Sequence, residues 1–180
     1  RGPDNSHYDN ISNDVLFAFH RLAIMGVTIS GDQPMKHPHD ESLTLICNGE
    51  IYNYKELAER YDFNLTTGSD CEIILYLYQK FGIERTIKDL DGVFMFVLHD
   101  ASSDQLFASR DPIGVRPGFI GTKEDELFIA SEAKPLVQLC ETVLPFPPGT
   151  WWCSDTPKTF KSYFTYNDSM IREKDEDAIC

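Results

Sequence analysis

The sequence predicts an α+β fold built as a four-layer α/β/β/α sandwich, two stacked sheets with helices on both outer faces. Three observations lead there. Val93-Phe94-Met95-Phe96-Val97-Leu98 is an unbroken apolar run, too short for a membrane span and suited to a strand buried on both faces. Ile73, Ile74, Leu77, Tyr78 and Phe81 recur at helical spacing, so a helix over 70–81 has an apolar stripe to cover. Several further short apolar runs, separated by turn residues, supply many strands. Two sheets packed face to face, with helices outside, give all of them cover.

Taken in order, residues 1–14 are polar and turn-rich, and Val15 to Phe19 reads as a compact strand ending at His20-Arg21. Leu22-Ala23-Ile24-Met25 is apolar again, and Gly26 to Ser42 is expected to be mostly loop, with His37 and His39 solvent-exposed in it. Tyr54 to Tyr61 reads as a short helix and Phe63 to Leu65 as a short strand. Ser69 and Glu72 have the spacing of a capping box, with Ser69 as N-cap, and Gly82 is placed to end that helix. Ile83 to Leu90 is a further short helix. The apolar run at 93–98 pairs with Gln105 to Ser109 as a hairpin. Val115 to Ile120 and Leu127 to Ala130 form another strand pair. Ser131 is placed to cap a helix through Cys140, with Pro135 tolerated near its start. Pro145, Pro147, Pro148 and Gly149 break the chain before a last strand at Thr150 to Cys153. From Asp168 the composition is acidic and polar, as in a linker or a frayed end.

Sixteen basic against 29 acidic residues, a net charge of −13, argue against nucleic acid and anionic membranes as partners, since both need a basic face. The five cysteines are odd in number and form no CxxC pair, so reduced thiols in a cytoplasmic protein are expected, with no disulfide frame and no metal site. No apolar run reaches membrane-span length, and no signal peptide is visible.

Chemistry is expected around Ile46-Cys47-Asn48-Gly49-Glu50-Ile51-Tyr52-Asn53. Leu43 to Ile46 reads as a buried strand that stops at Asn48-Gly49. Asn48 offers a side-chain amide. Gly49 offers a backbone N–H with no side chain in front of it, and freedom to take φ > 0. Together they can form a pair of donors for an oxygen that becomes negative during a reaction. Glu50 adds a carboxylate. Asn-Gly is also the strongest short hairpin signal, and on these residues alone a turn is the simpler reading.

Other motifs shift that balance. Arg1-Gly2-Pro3-Asp4, His20-Arg21-Leu22-Ala23-Ile24, Gln33-Pro34, Asn48-Gly49-Glu50-Ile51-Tyr52-Asn53 and Thr67-Gly68-Ser69-Asp70-Cys71-Glu72 occur in that order. Leu90-Asp91-Gly92-Val93-Phe94, Arg110-Asp111-Pro112-Ile113-Gly114-Val115-Arg116-Pro117 and Ser131-Glu132-Ala133-Lys134 follow. The set resembles the glutaminase domain of the glutamine-dependent asparagine synthetases, class II amidotransferases with an N-terminal nucleophile. The resemblance covers roughly residues 1–155, leaving 156–180 as an extension or linker toward a synthetase domain.

The resemblance implies the family's αββα sandwich and L-glutamine as substrate. It also implies a set of roles. Arg21 is similar to the family's carboxylate-binding arginine, a guanidinium able to grip a carboxylate bidentately. Leu22, Ala23, Ile24 and Met25 would line the substrate slot. Asn48 and Gly49 look like the oxyanion hole, and Glu50 and Asp70 like the partners of the ammonium and amide groups. The family's nucleophile is a cysteine at the mature N-terminus whose own α-amine acts as base. It lies some tens of residues ahead of Arg-Gly-Pro-Asp, where this sequence starts, so neither it nor the first strand is expected within it. No cofactor is expected in this chain; ATP and magnesium belong to the synthetase half, fused or separate, and a homodimer is among the assemblies the resemblance admits. The alternative reading is a homologue without the nucleophile, acting as a glutamine-binding or protein-interaction module. Two departures concern packing: Met25-Gly26 stands where the family usually continues Val-Asp, and Gly118 where it usually has a bulkier residue.

Overall fold

The structure, a computed structural model, describes residues 5–21 and 31–165. In chain order the strands are β1 (Asn5–Asn10), β2 (Leu16–Arg21), β3 (Met35–His37), β4 (Asp40–Ile51), β5 (Gly92–Asp100), β6 (Gln105–Arg110), β7 (Phe119–Lys123), β8 (Glu126–Ala130), β9 (Thr142–Pro145), β10 (Thr150–Cys153) and β11 (Phe160–Ser162). The helices are α1 (Tyr54–Tyr61), α2 (Glu72–Phe81), α3 (Ile83–Asp89) and α4 (Ala133–Leu139). Six strands form one antiparallel sheet in the order β11-β10-β6-β5-β4-β3, with β4 and β5 at its centre. A three-stranded sheet, β8-β7-β9, and the β1-β2 hairpin are the other sheet elements among the described residues.

Strand pleating sorts the central side chains into two cores. Leu43, Leu45 and Cys47 of β4 and Phe94, Phe96 and Leu98 of β5 face the helices, against Leu57 of α1, Ile73, Ile74 and Leu77 of α2, and Ile87 of α3. Met95 and Val97 point the other way, with Ile46, Ala108 and Trp152, and meet Phe17, Leu127, Ile129 and Phe146. The apolar run at 93–98 is therefore a strand covered on both faces, as expected. Phe94, Phe96 and Leu98 are wholly buried, each worth about 1.5–3 kcal/mol by the area it removes from water. Ile129 and its register partner Ile120 lie on the face of the three-stranded sheet turned to this second core, while Gly121 lies on the opposite face. A Cβ at Gly121 would lie 2.6 Å from the sulfur of Cys140, just past α4. The helix thus covers the outer face of this sheet, and the layers run α1–α3, six-stranded sheet, second sheet layer, α4.

Several local expectations are corrected. Asn48-Gly49 is not a hairpin turn. Strand β4 continues through it to Ile51, because β5 pairs with it along the whole length from Leu43 to Ile51. Residues 5–10 form a strand despite their polarity, paired with β2. His37 is buried on β3 against the ring of Tyr76, with centroids 4.5 Å apart; His39 is exposed. Burial pushes the His37 pKa below its ordinary value. Residues 63–65 form no strand.

The capping box does not form. Cys71 is the N-cap of α2, without a side-chain cap bond, and Glu72 turns back to the loop before the helix. Nor does Ser131 cap α4, whose N-cap is Glu132 in extended conformation. Strand β7 begins at Phe119, because residues 115–118 belong to the loop organised by Asp111. Strands β9 and β11 have too little apolar pattern to be read in advance: β9 pairs with β7, and β11 with β10. No helix among the described residues is long and apolar enough to cross a membrane.

Candidate functional site

The C-terminal end of β4 carries the candidate site. Ile46, Asn48 and Glu50 alternate with Cys47, Gly49 and Ile51, so Asn48 and Glu50 share the face turned from α2, toward the second sheet layer. Gly49 sits opposite Phe94, where a Cβ would lie 2.3 Å from the Val93 carbonyl oxygen and 2.6 Å from the Phe94 Cα. Close approach of two strands requires the glycine here. It does not use φ > 0, in contrast to Gly68, Gly82, Gly114 and Gly149.

The direction of the Gly49 N–H follows from its neighbours. The Cys47 N–H donates to Gln33 Oε1 at 2.5 Å, and the Ile51 N–H donates to Asp70 Oδ2 at 2.6 Å. Both acceptors lie off the β5 side of the strand. Backbone donors repeat every second residue, so the Gly49 N–H points the same way, between these two. Asn48 makes no side-chain hydrogen bond among the described residues, so its amide is a second donor at the same strand end.

Asp70 reaches Ile51 from the turn ahead of α2. That turn is held by Glu72, wholly buried, which accepts from the Thr66 N–H at 2.9 Å, the Thr67 N–H at 2.8 Å and the Thr67 hydroxyl at 2.7 Å. Burial pushes the Asp70 carboxyl above its ordinary range and the Glu50 charge adds to this, while the Ile51 N–H works against it. Glu50 accepts from Arg116 Nη2 at 3.2 Å. The strand end thus brings together two carboxylates, an amide and a backbone N–H. Of the residues proposed from sequence, Asn48, Gly49, Glu50 and Asp70 converge. Leu22, Ala23, Ile24, Met25 and the side chain of Arg21 lie outside the described residues; the Arg21 backbone pairs with Asn5 at the end of β2.

The chain matches the glutamine amidotransferase domain family over residues 1–146. The chain belongs to this family. The amidotransferase domain is 45% identical over 149 residues to the asparagine synthetase [glutamine-hydrolyzing] of Homo sapiens and 46% identical to that of Mus musculus, covering 81% of this chain and 26% of each relative. It is 42% identical over 169 residues to the probable asparagine synthetase [glutamine-hydrolyzing] of Schizosaccharomyces pombe, covering 91% of this chain and 29% of that one. The chain therefore spans little more than a quarter of these curated relatives. Among solved structures, the amidotransferase domain resembles the glutamine phosphoribosylpyrophosphate amidotransferase of B. subtilis complexed with ADP and GMP. The TM-score is 0.63 at 23% identity, covering 74% of this chain and 32% of that one. The allosteric regulatory enzyme of purine biosynthesis gives 0.67 at 21% identity over 83% of this chain and 35% of that one. At those identities the likeness establishes the fold alone.

Within the amidotransferase domain, neither cysteine next to the site is built as a nucleophile. Cys47 and Cys71 are both buried, and the hydrogen bond that the Cys71 thiol gives to Cys47, with burial, pushes that thiol well up, away from the reactive thiolate. The helix start ahead of Glu72 does not offset this.

Gln33, Glu72, Asp111 and Arg116 fall inside the sequence motifs, yet sequence reasoning gives them no part in the site. Gln33 brackets Cys47, accepting its N–H and donating to its carbonyl at 3.1 Å. The only advance signal for these four is their place inside the motifs. Their partners are 14 residues away for Gln33 and 66 for Arg116.

Proposed function

We propose that this chain is the glutamine-handling domain of an asparagine synthetase: it binds L-glutamine and takes part in its hydrolysis, releasing ammonia for ATP-dependent amidation of aspartate elsewhere in the protein. The observation that carries this reading is the convergence of Asn48, the Gly49 N–H, Glu50 and Asp70 at one strand end. Glutamine presents a carboxylate, an ammonium and a side-chain amide. Glu50 and Asp70 supply acceptors for the ammonium. The Asn48 amide and the Gly49 N–H supply donors for the amide oxygen as it becomes negative on nucleophilic attack. Fixed donors of this kind stabilise the transition state because they need no reorganisation when charge develops. Arg21 supplies the cation for the α-carboxylate, with the 22–25 backbone beside the substrate. The attacking group is the family's N-terminal cysteine, which lies ahead of the Arg-Gly-Pro-Asp motif. ATP, magnesium and the synthetase domain belong to the rest of the protein, and the reading carries a cytoplasmic location with it.

The test is glutamate and ammonia release from glutamine by the full-length protein. Asn48→Ala is expected to lower turnover by about 10²–10³, and Arg21→Ala to weaken glutamine binding with less effect at saturation. Glutamine binding without turnover in the full-length protein would favour a binding module instead, and neither binding nor turnover would overturn the reading.

A further inference from the structure

We propose that Arg116 is a positioning residue for recognition of the substrate's ammonium group, acting through Glu50; the inference rests on the glutamine reading above. Arg116 and Glu50 are 66 residues apart, and the fold brings Arg116 Nη2 to 3.2 Å from Glu50 Oε1. The contact takes one carboxylate oxygen and leaves the other for a ligand. Both side chains are partly exposed, 32% for Arg116 and 41% for Glu50, so the pair borders the site. The Arg116 Nε is buried with no hydrogen-bond partner among the described residues.

The arginine sits on a fixed arm. Asp111, wholly buried, accepts the Arg116 N–H at 3.0 Å, the Val115 N–H at 2.9 Å and the Phe94 N–H at 3.3 Å. Arg110 clamps the same loop from the other side, donating to the carbonyls of Arg116 at 2.7 Å, Gly114 at 2.8 Å and Phe146 at 2.7 Å. Phe94 is the register partner of Gly49. The path from Gly49 across β5 to Asp111, along the loop to Arg116 and back to Glu50 is therefore a closed ring of short contacts. It ties the orientation of Glu50 to the strand end that carries Asn48 and Gly49.

The electrostatics give this ring a purpose. Glu50 and Asp70 repel each other as anions, and Glu50 contributes to the raised Asp70 carboxyl. A guanidinium against Glu50 balances one of the two charges. It also holds the Oε1 oxygen of Glu50 in place, so that the other oxygen faces a ligand from a restrained carboxylate.

The test uses the full-length protein. It compares the KM for L-glutamine with the inhibition constant of 4-carbamoylbutanoate, which is glutamine without its α-amine. Arg116→Ala is expected to raise the KM for glutamine about fivefold to tenfold, the loss of one charge-assisted hydrogen bond. It should leave kcat within about twofold, and the analogue, having no ammonium, should bind as in the unsubstituted protein. Arg116→Lys should recover part of the glutamine affinity, and it carries the same comparison if Arg116→Ala does not fold. Equal weakening of glutamine and analogue would mean general damage to the site and would overturn the proposal, as would an unchanged KM. An unsubstituted protein that does not turn over glutamine overturns the glutaminase reading itself, which separates that failure from this one.

Discussion

The Asp70 carboxylate accepts the backbone N–H of Ile51 at 2.6 Å, and Ile51 ends the strand that carries Asn48, Gly49 and Glu50. One hydrogen bond thus joins the turn before α2 to the strand end.

This bond predicts a conflict between stability and function. Burial raises the Asp70 pKa, so the folded protein binds that proton more readily than the unfolded chain. The stability that comes from the shift is full below the ordinary carboxylate range and is lost as pH rises through the raised value. Asp70→Asn keeps an oxygen for Ile51 and removes the buried charge. At pH 7 the variant should melt about 2–4 °C above the parent, with the gap closing as pH falls into the carboxylate range, while glutamine affinity drops at least about tenfold. Calorimetric melts across pH and a binding titration check both. A variant that melts below the parent at pH 7 would show that the charge stabilises the turn.

Glu72 supports the same turn from beneath. It is wholly buried and takes donors from Thr66 and Thr67, so Glu72→Gln puts an NH₂ group against donors. The expected loss is about 2 kcal/mol in urea denaturation. No loss would mean that the 66–67 loop re-forms without it.

Gly49 and Gly82 separate two uses of glycine. Gly49→Ala drives a methyl into the backbone of β5 and should cost more than about 3 kcal/mol or prevent folding. Gly82→Ala meets nothing within 4 Å but sits at φ +74°, so its cost should be about 1 kcal/mol. Similar melting temperatures for the two variants would refute the close-approach explanation.

Gly118 and Met95 fill one space between them. A Cβ at Gly118 would lie 2.7 Å from the Met95 sulfur. Gly118→Ala should cost about 1 kcal/mol, because a methionine side chain can partly yield. Gly118→Ala combined with Met95→Ala should be more stable than the sum of the singles by about 0.5–1 kcal/mol. Strict additivity would show that the two positions do not share the space.

Much of the frame was legible in advance, for identifiable reasons. The apolar stripe of α2 is periodic and the apolar run at 93–98 is continuous, and both patterns are local properties of sequence. The burial of His37 was not legible, because a histidine between Lys36 and Pro38 carries no periodic signal. Its burial comes from Tyr76, on α2. Likewise Glu72 has the spacing of a capping box, yet the nearby Thr66 and Thr67 donors claim its carboxylate instead.

For the site, the residue types Asn48, Gly49, Glu50 and Asp70, their order and the family they belong to were determined by the sequence alone, since motif wording is a one-dimensional property. Tertiary structure decided the rest. Pairing with β5 made Asn48-Gly49 a strand and not a turn. The tie from Asp70 to Ile51 and the reach of Arg116 to Glu50 join groups 19 and 66 residues apart. Such contacts depend on how separate segments pack, and no local pattern encodes them.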